Sequence, residues 1–104
     1  MRINMTNINI EDINETDVTK LFSHYEMTVS AIDIDREDNS VNVYIEISSM
    51  GTYTIDWIDG MLKKLRIIKD ELIKEGLIND LLLGDIYKGV WRVSINFKTV
   101  DEAT

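Results

Sequence analysis

The chain contains no cysteine and no proline, and a single histidine, His24. Without cysteine there is no disulfide, no thiolate metal site and no cysteine nucleophile. Without proline the turns fall to glycine, asparagine and aspartate. The five glycines are scattered, with neither a GxGxxG fingerprint nor a Walker loop, so nucleotide binding has no support. No apolar run reaches the length needed to cross a membrane. The N-terminus, MRINMTNINIEDIN, lacks a basic segment followed by an apolar one, so no signal peptide is expected and a cytoplasmic location is the default. Met5 is an alternative start that would trim an N-terminal strand.

What is present is an ordinary globular composition of 104 residues, 44% hydrophobic and 29% charged, enough for one domain spanning 1–104 with a real core. The net charge of −8 is placed unevenly. Residues 1–52 hold ten acids against Arg2, Lys20 and Arg36, a balance of −7; residues 53–104 hold nine acids against eight bases, a balance of −1. Direct contact with a phosphate backbone is disfavoured by that field, and a basic protein partner is favoured. The plainer reading of the same charge is solubility.

The clearest element is 54–76, TIDWIDGMLKKLRIIKDELIKEG, on which the rest of the chain is organised. Ile55, Ile58, Met61, Leu62, Leu65, Ile68 and Leu72 recur at spacings of three and four and define one face of a helix of about six turns. Thr54 is placed to cap it, Asp56 and Asp59 suit the positive end of its dipole, and Gly76 suits its close. A second, short helix starts at Asn14 or Thr16 and carries Val18, Leu21, Phe22 and Tyr25 as its stripe. Residues 2–10 read as a strand whose register the pattern leaves open.

Two hairpins complete the chain. In 27–48 a two-residue turn at Asp38-Asn39 pairs Ile34 with Val43 and Ile32 with Ile45 on one face, leaving Asp33, Asp35 and Glu46 on the other beside Tyr44. Glu37 and Asp38 then sit at the tip. In 79–99 a turn at Lys88-Gly89 sets Ile86 against Trp91, Gly84 against Val93 and Leu82 against Ile95. That register turns Leu81 and Leu83 outward and brings Asp85 to Arg92. Ser48 to Gly51 reads as a connector, and the tail from Asp101 as frayed. The expected fold class is α+β, a mostly antiparallel sheet of two hairpins with one long and one short helix, in the order (β)αββαββ. A ferredoxin-like sheet, with residues 2–10 pairing centrally, is the alternative.

No catalytic constellation emerges. The run from Asp33 to Tyr44 fails as a calcium loop, because its sixth and twelfth places hold Asp38 and Tyr44 instead of glycine and glutamate. His24 lies near the end of the short helix with Ser23 pointing elsewhere, so no nucleophilic triad forms. A chain of this size has little room for the deep cleft of a carboxylate-pair glycosidase. The cluster Lys63, Lys64, Arg66, Lys69 and Lys74 is interleaved with acids and reads as a solvated helix face. Trp57 and Trp91 read as core or core-edge residues. No cofactor and no metal are expected.

The profile of small size, acidic charge and no catalytic set is similar to that of phage anti-defence proteins such as anti-CRISPRs, and of immunity proteins that neutralise nuclease toxins. This is a likeness of profile and not of motif. It implies a non-enzymatic binding protein in the cytoplasm, the host's if phage-encoded, that blocks a basic, nucleic-acid-handling partner by mimicking nucleic acid. The expected contact residues are Asp33, Asp35, Glu37, Asp38, Tyr44, Glu46, Leu81 and Leu83. The alternative is a structural or self-associating module that uses Leu81 and Leu83.

Overall fold

The helices begin and end on side-chain and backbone chemistry that the sequence carries locally. The computed structural model describes residues 10–47 and 54–98. Helix α1 (Glu15–His24) opens with a capping box: Asn14 Oδ1 accepts from the Asp17 amide at 2.9 Å, and the Asp17 carboxylate accepts from the Asn14 amide at 3.3 Å. Helix α2 (Ile55–Lys74) opens on Thr54, whose Oγ1 accepts from the Trp57 amide at 3.0 Å. Both close in the same way. The Gly76 and Leu77 amides donate back to Ile73 and Leu72, and the Glu26 and Met27 amides donate back to Ser23 and Phe22. Gly76 takes the required left-handed backbone (φ 74°) at no steric cost, whereas Glu26 adopts it (φ 62°) with a side chain.

The four strands are β1 (Val29–Asp35), β2 (Ser40–Glu46), β3 (Ile78–Tyr87) and β4 (Val90–Phe97), in the spatial order β1-β2-β4-β3. Every neighbouring pair is antiparallel. β2 and β3 therefore run parallel with β4 between them, so β2-α2-β3 is a split β-α-β unit. The fold is α+β in the order αββαββ, as the sequence pattern implies. Among the described strands the two central places are held by β2 and β4; the sequence pattern also implies a strand at 2–10. That strand, apart from Ile10, lies outside the described residues, as do the connector at Ser48 to Gly51 and the tail from Asp101.

Alternation along β2 and β4 gives the sheet its two sides. Val41, Val43 and Ile45 pair with Ile95, Val93 and Trp91, and all six are buried. The helices cover this side: Val18, Leu21 and Phe22 of α1 and Met61, Leu65, Ile68 and Leu72 of α2 join the same core. The Trp91 indole ends in that core, and partly buried Trp57 packs against it. Among the described residues the other side carries no helix and is mostly polar, with Asn42, Tyr44, Ser94 and Asn96 half-buried along it.

Register departs from the sequence expectation in both hairpins, with different consequences. The first is closed by a four-residue loop, Arg36 to Asn39, with Asp35 opposite Ser40 and Ile34 opposite Val41. The loop wins because the Asp35 carboxylate accepts from the Glu37 and Asp38 amides at 3.1 and 3.2 Å, while Asn39 takes the left-handed conformation (φ 55°). The slip is two residues, so every side chain keeps its expected face. In the second hairpin the Lys88-Gly89 turn and the Ile86–Trp91 pair form as expected, with both turn residues at positive φ. Beyond them a bulge between Leu83 and Ile86 shifts β3 by one residue, so Leu83 faces Val93, Leu82 faces Ser94 and Leu81 faces Ile95. Leu81 is consequently buried in the core, and Leu82 takes the outward place. The same shift takes Asp85 out of register with Arg92, and no ion pair joins them.

Candidate partner-binding face

Among the described residues, no helix covers the second side of the sheet. Its order across the strands follows from the register. Glu46 pairs with Val90 and Val90 with Tyr87; Ala31 pairs with Tyr44 and Tyr44 with Arg92. Asp33 pairs with Asn42, Asn42 with Ser94 and Ser94 with Leu82. Asp33, Asp35 and Glu46 thus share one face of the β1–β2 ribbon with Tyr44, and Glu37 and Asp38 sit at its tip, all as the sequence implies. From 29 to 46 the acids Asp33, Asp35, Glu37, Asp38 and Glu46 face one base, Arg36, a net of −4.

Arg36 is engaged within the molecule. Its Nη2 donates to the Ile13 carbonyl at 2.6 Å and its Nε to the Glu11 carbonyl at 3.4 Å. The hairpin tip is thereby fastened to the segment leading into α1, which brings Glu11 and Asp12 to the same end of the molecule as Glu37 and Asp38. Asp35 has a structural duty in the loop, so it contributes charge from a fixed position. Asp33 and Glu46 are exposed, and Tyr44 is half-buried between its neighbours. Ser94 Oγ and Asn42 Oδ1 are joined by a hydrogen bond of 2.5 Å that stiffens the middle of the face.

Toward the β3 side, Ser30, Ala31, Tyr44, Asp85, Tyr87, Val90 and Arg92 line a shallow depression of about 340 Å³. The Arg92 side chain lies over Gly84; a Cβ at Gly84 would sit 2.6 Å from Arg92 Nε. Gly84 thus makes room for a large neighbour on the outer face of the sheet. Leu83, 46% exposed, lies on the helix side of the sheet edge, so neither it nor Leu81 belongs to the acidic face. Leu82 and Tyr87, both exposed, are the apolar residues of β3 that do, and the continuous apolar spelling of 81–83 carries no signal that would have singled out Leu82.

No group of three or more histidine, aspartate or glutamate side chains stands ready to hold a metal among the described residues. His24 packs edge-on against the Tyr25 ring at 4.9 Å in the last turn of α1. The Tyr25 hydroxyl is pushed above its ordinary value of 10.0 by burial and by the Glu71 carboxylate. No helix among the described residues is long and apolar enough to cross a membrane. Comparison with protein-family models, with curated proteins and with solved structures returns no match for this chain.

Proposed function

We propose that this chain is a non-enzymatic binding protein that occupies a basic site on a macromolecular partner. The observation that carries the reading is the carboxylate-bearing, helix-free face of β1 and β2, with Asp33, Asp35 and Glu46 around Tyr44 and with Glu37 and Asp38 at its tip. Strands hold these groups at fixed spacing, so their charge is presented without the ordering cost that a flexible acidic tail would carry on binding. A half-buried tyrosine among carboxylates is a suitable anchor, apolar on its ring and polar at its hydroxyl. The partner is a basic protein that handles nucleic acid, and the chain blocks it by taking the place of the phosphate backbone. Phage anti-defence proteins and nuclease-toxin immunity proteins are two classes of similar profile, and the location that goes with this reading is the cytoplasm, the host's if the chain is phage-encoded.

The test is affinity capture from lysate of the native host, with the wild-type chain and with Asp33→Asn/Asp35→Asn/Glu46→Gln, at low and at moderate salt. A basic nucleic-acid-handling protein retained by the wild type, released by salt and not retained by the variant supports the reading. Equal retention by both forms overturns it.

A further inference from the structure

We infer that the outer edge of β3, beside α2, is a second binding site, which takes an extended peptide segment of a partner protein with alternating apolar side chains and a carboxylate. This site is independent of the acidic face. All eight exposed large hydrophobic residues among those described lie on α2 or β3: Ile55, Leu62, Ile67 and Ile73 on the helix, and Leu82, Leu83, Ile86 and Tyr87 on the strand. β1, the other sheet edge, has none.

Three features meet at the β3 edge. The first is an edge strand: among the described residues β3 pairs only with β4, and no described strand covers its far side. Two bulges bracket the regular stretch Asp80 to Leu83, which limits pairing to a short segment. The second is an apolar cleft of about 160 Å³ between strand and helix, lined by Leu62, Leu65, Leu81 and Leu83. The third is charge of one sign at its rim, from Arg66 and Lys69. Lys69 is held by Asp80 at 3.2 Å, whereas Arg66 has no partner among the described residues. Ile55, Leu62, Arg66, Lys69 and Ile73 fall on one flank of α2 at spacings of seven, four, three and four, so the cationic groups interrupt an otherwise apolar stripe.

A peptide added to β3 as a fifth strand would send alternate side chains into this cleft and bring a carboxylate to the Arg66 guanidinium, which suits bidentate pairing. A second copy of the chain fits less well. Antiparallel self-pairing centred on Leu82 would set Leu81 opposite Leu83 and Asp80 opposite the Gly84–Asp85 bulge in both halves, between chains that each carry −8.

The experiment is selection of a displayed library of short linear peptides on the immobilised full chain, followed by fluorescence anisotropy of the enriched peptides. Enriched sequences are expected to alternate apolar residues and to contain aspartate or glutamate. Leu62→Glu and Leu83→Glu should each weaken binding by about tenfold or more. Arg66→Glu should reverse the preference, from peptides with a carboxylate to the same peptides with lysine in its place. All three positions are exposed, so circular dichroism should show an unchanged fold, and the Asp33/Asp35/Glu46 variant should bind these peptides normally. Enrichment of nothing, or of sequences without a carboxylate, overturns the inference. So does binding indifferent to Leu62 and Leu83, or a dimer in sedimentation that the same substitutions abolish.

Discussion

The Trp91 indole N–H donates to the Gly84 carbonyl at 3.0 Å, and this bond spans the bulge that sets the register of β3. The indole holds Gly84 from the core side, and the Arg92 side chain covers it from the outer side. Gly84→Ala places a methyl 2.6 Å from Arg92 Nε and 3.1 Å from the Arg92 carbonyl, so both the side chain and the backbone must yield. The expected cost is about 1–2 kcal/mol by urea denaturation, partly relieved in an Arg92→Ala background because one of the two clashes is gone. Strict additivity of the two substitutions would show that Arg92 does not pack there.

Glu26 is the left-handed residue that closes α1, a position glycine fills without strain. Its ion pair with Lys64, at 3.8 Å and largely exposed, adds little. Glu26→Gly should therefore stabilise the fold by about 1 kcal/mol, a rise of roughly 5 °C in Tm. A lower melting temperature would mean that the side chain matters more than the backbone.

Arg36 joins the tip of the first hairpin to the carbonyls of Ile13 and Glu11. Arg36→Ala should cost about 1–2 kcal/mol and raise amide exchange between Glu11 and Asp17 before it affects β2 or β4. Lysine cannot reach two carbonyls with one ammonium in the same geometry, so Arg36→Lys should recover only part of the loss. Uniform protection in the alanine variant would remove this contact as the fastening.

Asp33 and Asp35 should separate in stability although both serve the acidic face. Asp35→Ala removes the acceptor for two loop amides and should cost about 1 kcal/mol, whereas Asp35→Asn retains an acceptor and should cost less. Asp33→Ala, exposed and without such a bond, should stay within about 0.5 kcal/mol of the wild type. Equal thermal shifts for the two alanine variants would contradict the loop assignment.

Two groups predict opposite ends of the pH profile. The Asp80 carboxyl is held below its ordinary 3.8, first by the Leu81 amide and then by Lys69. A depressed folded value means stability present above the unfolded value and lost as pH falls through the folded one. The Tyr25 hydroxyl is raised, so its contribution is intact below pH 10.0 and is lost as pH rises through the higher folded value. Asp80→Asn should flatten the acid limb of a thermal-melt series, and Tyr25→Phe the alkaline limb. An acid limb identical in wild type and Asp80→Asn would rule out the first assignment.

What the sequence determined by itself was local. Asn14, Thr54, Gly76 and Lys88-Gly89 mark their caps and turns because each depends on residues a few places apart. The apolar spacing in 55–72 names Met61, Leu65, Ile68 and Leu72 of the core face of α2 for the same reason, whereas Ile55 and Leu62 of the same set stay exposed. Face and edge were decided by tertiary structure. The run Leu81-Leu82-Leu83 is apolar at every place, so alternation cannot say which leucines enter the core. That choice fell to the bulge at Gly84, held by Trp91 and Arg92 across the strand pair. In the first hairpin, alternation constrains register only to within two residues, and the Asp35 loop bonds made the selection. The acidic face survived that slip intact because a shift of two returns every side chain to its own side. The leucine assignment did not survive, because a shift of one reverses it.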